Sequence, residues 1–415
     1  MKKIVILGLV VLGTAVGATV IAGREFQAQL VQLETKMDQD PRIEVVNNTL
    51  NKGLFSSSGS MIFAMHLEDD QRLIIESPWQ ASHFPGWVDY TGQLLLSLDL
   101  GLQETVNLLD RVGILAPEYQ GTAGWKKTTF QMHLEPFVFN EGLASLEVSG
   151  ASVTGSYSYS GEQQGQLVIN KLAFSEQNYA ATTFDLNDLT VSWNQVSNYP
   201  WLQGTAEVSA GRIYVANQQQ NIELIQPRLS QELVLNQQAF DYLASLDLGE
   251  IKSQGSPMGS AKLRLKTEGL NGQAVADLMD VVATNTHLEE AEAKGDLDRV
   301  QGALNSLLAG SPAVVLQEFN LTLKSPIVLE QQTTGKLSFD GRNLPISYLQ
   351  QIEKGRLDSN DLINRTRLEL NFSRLDQGLL MMLGIPASVL NPDQAEQKLV
   401  FEAGELRLNG NHLPF

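Results

Sequence analysis

A chain of 415 residues with a formal net charge of −18 repels a phosphate backbone over most of its surface, which argues against a nucleic-acid partner. The absence of cysteine excludes disulfides, thiolate metal sites and a cysteine nucleophile. Hydrophobic residues at 43%, charged residues at 18%, 34 Gly and 14 Pro predict a folded, strand-rich protein rather than a disordered one, and the length predicts at least two domains.

Lys2 and Lys3 precede an uncharged apolar run over residues 4–23, long enough as a helix to cross about 30 Å of hydrocarbon. Two readings compete: a signal peptide with its apolar core at 4–12 and small residues at 13–18, or an uncleaved transmembrane anchor using the whole run. The anchor is favoured because apolarity persists through Val20, Ile21 and Ala22. Both readings keep the lysines inside and the rest of the chain outside the cytoplasm. Residues 24–40 form an amphipathic linker helix in which Phe26, Leu30, Leu33 and Met37 share a face. That face packs on the chain's own next domain or forms a short coiled-coil seam that makes a homo-oligomer, with packing favoured because the seam is short. Pro41 after Asp40 ends the helix.

A strand-rich domain is expected over 41–229. Met61, Phe63, Met65 and Leu67 alternate onto one side of a strand, as do Leu94, Leu96, Leu98 and Leu100. Further strands are predicted at 128–134, 143–148, 152–158, 165–169, 189–193 and 205–215, with a helical interruption at 103–112 carrying Val106, Leu109 and Val112. Short spacing and alternation imply extended antiparallel sheet with one wet and one buried face, the turns punctuated by Gly, Asn and Asp.

Residues 230–415 form an α+β repeat domain of strand-plus-short-helix units. Leu263 and Leu265 form the strand, Leu270 and Asn271 the bridge, and Ala274, Leu278 and Val281 the helix face. The frame recurs at Leu337, Phe339, Leu344, Pro345, Ile352 and at Leu368, Leu370, Leu375, Asp376, Leu383. A looser copy runs Leu233, Leu235, Asn236, Phe240, Leu243. Asn271 and Asp376 are N-cap residues, and Pro345 takes their place as a first-turn proline. A largely helical stretch spans 272–308, with Leu297, Val300, Leu304 and Leu307 on one face. Gly310-Ser311-Pro312 then hands over to a strand at 313–323. The chain closes with a hairpin at 398–408 and an Asn409-Gly410 reversal. The fold class is thus mainly β with an α+β C-terminal half.

These features resemble the YdgA-like family of uncharacterised bacterial inner-membrane-anchored periplasmic proteins. The N-terminal anchor, Lys52-Gly53-Leu54-Phe55-Ser56-Ser57, and Leu307-Leu308-Ala309-Gly310-Ser311-Pro312-Ala313-Val314 leading to Gly335-Lys336-Leu337-Ser338-Phe339 carry the resemblance. So does the ending Leu406-Arg407-Leu408-Asn409-Gly410. The resemblance implies a single-pass inner-membrane protein with a periplasmic C-terminal domain, and supplies no active site. A more distant, fold-level likeness is to the AsmA-like envelope proteins, which implies curved sheets forming an apolar groove.

No two of His66, His83, His133, His287 and His412 fall at metal-ligand spacing, so no histidine metal site is expected. The stretch from Gly53 to Gly59 offers Ser56, Ser57 and Ser58 between glycines, but lacks the G-x-S-x-G elbow and reads as a bend. No phosphate-binding or dinucleotide fingerprint occurs. Glu68, Asp69 and Asp70, and Glu289, Glu290, Glu292, Asp296 and Asp298, lack the order of a calcium loop and are expected to be solvated. Trp79, Phe84, Trp87, Trp193, Tyr199 and Trp201 are core or edge residues, with partial exposure or lipid contact open where Pro85 and Pro200 adjoin them. No catalytic, cofactor-binding or metal-binding residue is assigned. The expected function is non-enzymatic: an envelope protein whose β-rich domain binds an apolar ligand, notably lipid, or a protein partner. The alternatives are an oligomeric scaffold and a periplasmic hydrolase without a motif.

Overall fold

The structure is a computed structural model. It describes residues 26–27, 43–66, 71–99, 105–176, 181–198, 200–284, 297–324, 329–345, 347–358, 360–373 and 396–413. Among the described residues the protein is mainly β, at 66% strand and 13% helix. Among the described residues no helix is long and apolar enough to cross a membrane. The apolar run at 4–23 and Leu30, Leu33 and Met37 lie outside those residues.

The chain divides into two compact units, 1–172 and 173–415. Residue 230, where the sequence pattern changes, lies inside a strand that pairs on both sides.

The first unit contains β1 (Ile43–Lys52), β2 (Ser56–His66), β3 (Arg72–Phe84), β4 (Trp87–Gln93), β5 (Leu95–Asp99), β6 (Thr105–Asn107), α1 (Leu108–Val112) and β7 (Glu118–Gly124). It continues with β8 (Lys127–Leu134), β9 (Phe137–Glu141), β10 (Ala144–Val148), β11 (Ala151–Ser158) and β12 (Glu162–Glu176), within which the division falls. Antiparallel pairing runs β1-β2-β3-β4-β7-β8-β11-β12. The long β3 pairs with β4 near one end and β5 near the other. Pro78 sits where the partner changes, and the Leu94 N–H there donates to Pro117 O at 3.0 Å. A residue without an N–H fits where a ladder is interrupted. The helix expected at 103–112 is only the turn of α1, because Asn107 Oδ1 accepts from the N–H groups of Leu109 and Asp110 at 3.0 and 3.2 Å. A residue committed to capping ends the helix there, and Thr105–Asn107 joins the sheet instead.

Register explains how this sheet covers its own face. One cross-strand row reads Leu50, Gly59, Trp79, Gly92, Tyr119, Met132, Val153, Leu167. The next row on the same face reads Ser57, Ala81, Tyr90, Gly121, Phe130, Gly155. Aromatic and glycine alternate, so each ring lies over the bare backbone of a neighbouring strand. A Cβ at Gly59 would fall 2.9 Å from Trp79, and one at Gly155 2.6 Å from Phe130. Phe26 completes the cluster with Trp79, Ala81, Val88 and Ala123. Its ring meets Trp79 edge-on at 5.8 Å and stacks on Tyr90 at 5.9 Å.

The second unit begins with β13 (Thr182–Asn198), β14 (Trp201–Ser209), β15 (Arg212–Ala216), β16 (Asn221–Ile225), β17 (Arg228–Leu235), β18 (Phe240–Asp247), β19 (Glu250–Ser253) and β20 (Ser256–Glu268). After α2 (Gly272–Thr284) and α3 (Leu297–Ala309) come β21 (Ala313–Leu323), β22 (Leu329–Phe339), α4 (Tyr348–Glu353), α5 (Asn360–Arg365) and β23 (Thr366–Phe372). The chain ends with β24 (Gln397–Glu402), β25 (Glu405–Leu408) and β26 (Asn411–His412). The strand expected at 205–215 is broken into β14 and β15. The break repeats on its neighbours: Asp188 (φ 54), Gln226 (φ 55) and Gly249 (φ 57) lie at matching register, all left-handed. The Gly249 N–H donates to Asp247 Oδ1 at 2.8 Å, which closes the corner between β18 and β19.

The repeated leucines fall on strands as expected, at β20, β22 and β23. Asn271 Oδ1 accepts from the Ala274 N–H at 2.9 Å, so it caps α2. The looser copy differs. Asn236 Oδ1 accepts from the N–H groups of Gln238 and Ala239 at 2.9 and 3.0 Å, which makes a hairpin turn into β18 rather than a helix. Pro345 precedes the first turn of α4, which starts after Ser347; its carbonyl accepts from the Tyr348 N–H at 3.1 Å. The acidic partner Asp376 lies outside the described residues. On α3 the buried residues are Ala303 and Asn305 while Leu304 is exposed, because Asn305 Oδ1 turns inward to accept from the Leu349 N–H at 3.0 Å. The chain-end turn is as expected, with Asn409 and Gly410 at φ 52 and 83.

Ion pairs on the later strands and helices set an expected pH response. Hydrogen bonds from Lys336 to Glu268, from Lys398 to Glu369 and from Arg365 and Tyr348 to Asp361 hold these carboxyls below their usual values of 4.5, 4.5 and 3.8. A depressed carboxylate pKa adds stability above the unfolded value and loses it as pH falls through the folded one. Thermal melting followed by circular dichroism is therefore expected to be flat from neutrality to about pH 5 and to shift down below about pH 4. Unchanged melting down to about pH 3 would show that these pairs are too solvent-screened to matter.

Candidate functional site

The stretch from Gly53 to Gly59 holds the β1–β2 turn at Gly53, Leu54 and Phe55, closed by the Gly53 N–H donating to Ser56 O at 2.9 Å, and then the first residues of β2. Ser57 then meets a residue that sequence reasoning kept separate. Its Oγ lies 2.9 Å from His83 Nε2, while His83 Nδ1 lies 3.4 Å from Leu54 O. A carbonyl only accepts, so Nδ1 carries the proton and Nε2 accepts from the Ser57 hydroxyl. This is the tautomer a general base needs. The pair is buried. Ser57 and His83 are 6% and 5% exposed, on the face that carries Ala81 and Val88. A reacting carbonyl needs space about 3 Å from the nucleophile, and the base needs an orienting group. Here the orienter is a neutral backbone oxygen, and the neighbouring concavity, although Ser57 and Ala81 border it, is lined mainly by Ser56, Ser58, Gln80, Ser82, Asp89 and Thr91, which register places on the opposite face of the sheet from Ser57. The pair works as a buried hydrogen bond that ties β2 to β3.

The other histidines stay apart. His66, His133 and His412 each lie near one glutamate: Glu44 at 3.6 Å, Glu135 at 3.6 Å and Glu405 at 3.1 Å. His287, the 68–70 acidic run, and Glu289, Glu290, Glu292 and Asp296 lie outside the described residues, as does Tyr199. Among the described residues no group of three or more His, Asp or Glu side chains is placed to hold a metal ion.

Two kinds of surface remain. The first unit turns a nearly uncharged ladder outward: Ser58, Gln80, Thr91, Gln120, Gln131, Thr154, Gln166. It lines an open concavity of about 850 Å³. The second unit has an apolar face whose rows run straight across strands. One reads Val191, Val208, Leu229, Leu246, Leu263, Phe319; another reads Leu265, Leu316, Gly335, Leu370, Leu399, Leu408. The reverse side of the first row is Thr190, Ser209, Arg228, Asp247, Lys262, Asn320, with Lys262 2.9 Å from Asp247. Val208 and Leu229 are directly paired, and Leu229 is 44% exposed.

Residues 1–326 match a family model described as a bacterial protein of unknown function, DUF945. The chain belongs to the DUF945 family. No curated protein and no solved structure matches it. The matched span takes in every strand of the first unit and the second unit through β21, so the polar ladder and the apolar row through Val208 and Leu229 lie within the DUF945 region, while the second apolar row runs on past residue 326.

The aromatic group flagged in the sequence is dispersed in this DUF945 chain. Trp79 is core, and Trp193 and Trp201 lie on β13 and β14. Phe84 and Trp87 stack at 5.3 Å on an exposed turn. Trp125, which sequence reasoning missed, lies against Gly86 of that turn. Its signal was its place between Gly124 and two lysines, at what register shows to be a hairpin tip.

Proposed function

We propose that this DUF945 protein is a non-enzymatic binding protein of the bacterial cell envelope. In this reading residues 4–23 hold it in the inner membrane, its β units stand in the periplasm, and the apolar face of the second unit receives an apolar ligand, a lipid acyl chain. The observation that carries the reading is the paired row through Val208 and Leu229, an aliphatic stripe open to solvent whose reverse side is charged. Burying such side chains gains about 25 cal/mol per Å² of apolar surface, which an extended chain laid across the strands collects at each step. The resemblance to the YdgA-like family and the lysine-flanked apolar run support the location. The burial of the Ser57–His83 pair supports the non-enzymatic reading over a hydrolase.

The test is photolabelling of the full-length protein with a phospholipid carrying a photoactivatable acyl chain. Adducts are expected on β14, β17 and β18 as well as on residues 4–23. The double variant Val208→Glu, Leu229→Glu is expected to lower sheet labelling at least about tenfold. Labelling confined to residues 4–23 would remove the lipid reading.

A further inference from the structure

We propose that the hairpin tips at one end of the first unit dock into the interfacial layer of an anionic bilayer. This rests on a surface separate from the apolar sheet face and does not depend on what that face binds. The β1–β2, β3–β4, β7–β8 and β11–β12 turns all lie at the same end of the sheet, since their strands alternate in direction across it. Backbone bonds join them into one row. The His83 N–H donates to Phe55 O at 2.9 Å, Trp87 pairs with Gly124, and the Tyr159 N–H donates to Lys126 O at 3.1 Å.

The tips carry large apolar side chains that the fold does not cover: Leu54 at 56% exposure, Trp125 at 67%, and exposed Phe55, Phe84 and Trp87. Leaving five such groups in water at turns, where polar residues serve equally well, needs an apolar environment outside the fold. The basic residues of this end are interleaved with them. Lys52 precedes the first tip, and Lys126 and Lys127 follow Trp125, all exposed. Two acids are near: Asp89, which accepts from Thr122 Oγ1 at 3.0 Å, and the exposed Glu162, which opens β12 beside the fourth turn, so the lysines Lys52, Lys126 and Lys127 outnumber the one glutamate at the tips. On a chain of net charge −18 this is a local basic edge.

The mixture selects the partner. The buried centre of a protein interface is depleted in lysine. The headgroup layer of a membrane takes tryptophan, phenylalanine and lysine together, the rings at the acyl boundary and the ammonium groups among anionic phosphates. Turns suit this because their side chains project beyond the last ladder bond, so the sheet need not enter the membrane.

The chain has no cysteine, so one introduced thiol gives a unique reporter. Full-length protein carrying Ser160→Cys, on the fourth turn of the same row, is labelled with bimane and reconstituted into phosphatidylcholine vesicles with or without phosphatidylglycerol. Leu115→Cys, ahead of β7 at the opposite end, is the control. Quenching by a headgroup-proximal spin-labelled lipid is expected at 160 with phosphatidylglycerol, and not at 115. Neutralising Lys126→Gln with Lys127→Gln is expected to shift the equilibrium between docked and free tips about 30-fold toward free. Trp87→Ser with Trp125→Ser is expected to abolish the lipid quenching while leaving the circular dichroism unchanged. Equal iodide access at 160 in both vesicle types would overturn the proposal. Protection from iodide without lipid quenching would also overturn it, in favour of a protein contact. Acyl-chain labelling of the second unit is read separately, so either idea can fail alone.

Discussion

Gly92→Val is expected to destabilise the first unit by about 3–5 kcal/mol, enough to abolish cooperative unfolding of its sheet at physiological temperature. Gly92 stands between Trp79 on β3 and Tyr119 on β7. A Cβ there would run into the Tyr119 ring and lie 2.6 Å from Pro78 O. The ring has little room to withdraw, because its hydroxyl and Ser77 Oγ are hydrogen-bonded at 2.6 Å. Gly155→Ala is the comparison. The atoms it meets first are the outer edge of the Phe130 ring, at 2.6 and 2.7 Å, which is free of such a bond. The expected cost there is about 1–2 kcal/mol. Urea unfolding followed by tryptophan fluorescence measures both. Equal costs would mean that glycine flexibility, and not ring-over-backbone packing, explains these positions.

Those glycines mark the limit of what the sequence disclosed. Features settled by neighbours in the chain were legible: alternation in β2, the Asn271 cap, the Asn409-Gly410 turn. Glycines 59, 92, 121 and 155 look in sequence like the turn residues Gly86 and Gly410. What distinguishes them is an aromatic ring on another strand, and that follows only from register. β18 was hidden for a related reason. Phe240 and Leu243 suit a helical face, yet Phe240, Tyr242, Ala244 and Leu246 alternate equally well, and pairing with β17 and β20 decides between the two. The Ser57–His83 contact likewise joins residues on different strands with no motif between them. Of the tip row, Phe84 and Trp87 were visible because Pro85 marks a loop. Leu54, Phe55 and Trp125 joined them only once the turns were seen to share one end of the sheet.

Tyr348→Ala is expected to cost about 4 kcal/mol, through a cavity and through the loss of a hub. Tyr348 is among the most buried large side chains of the described chain. Its ring lies 6.3 Å from that of Phe339 at the end of β22, and the Arg365 guanidinium stands 5.8 Å from its centre. The hydroxyl donates to Asp361 Oδ2 at 2.9 Å, and the same oxygen accepts from Arg365 Nε at 2.7 Å. Arg365 also donates to Asp340 O and Arg342 O at 3.1 and 3.0 Å, which links α4, α5 and the turn after β22. Burial, with the Asp361 carboxylate second, pushes the phenol up to about 12, so it stays a donor across the whole stable range. Tyr348→Phe separates the two contributions. It keeps the ring and leaves Asp361 paired with Arg365, so its cost should be about 1 kcal/mol, the net value of one hydrogen bond. If Phe costs as much as Ala in urea titrations, the hydroxyl network is what fastens the helices to the sheet. If both cost less than about 1 kcal/mol, Tyr348 is not buried as described. The ring is expected to dominate, since the carboxylate keeps its stronger, charged partner when the phenol is gone.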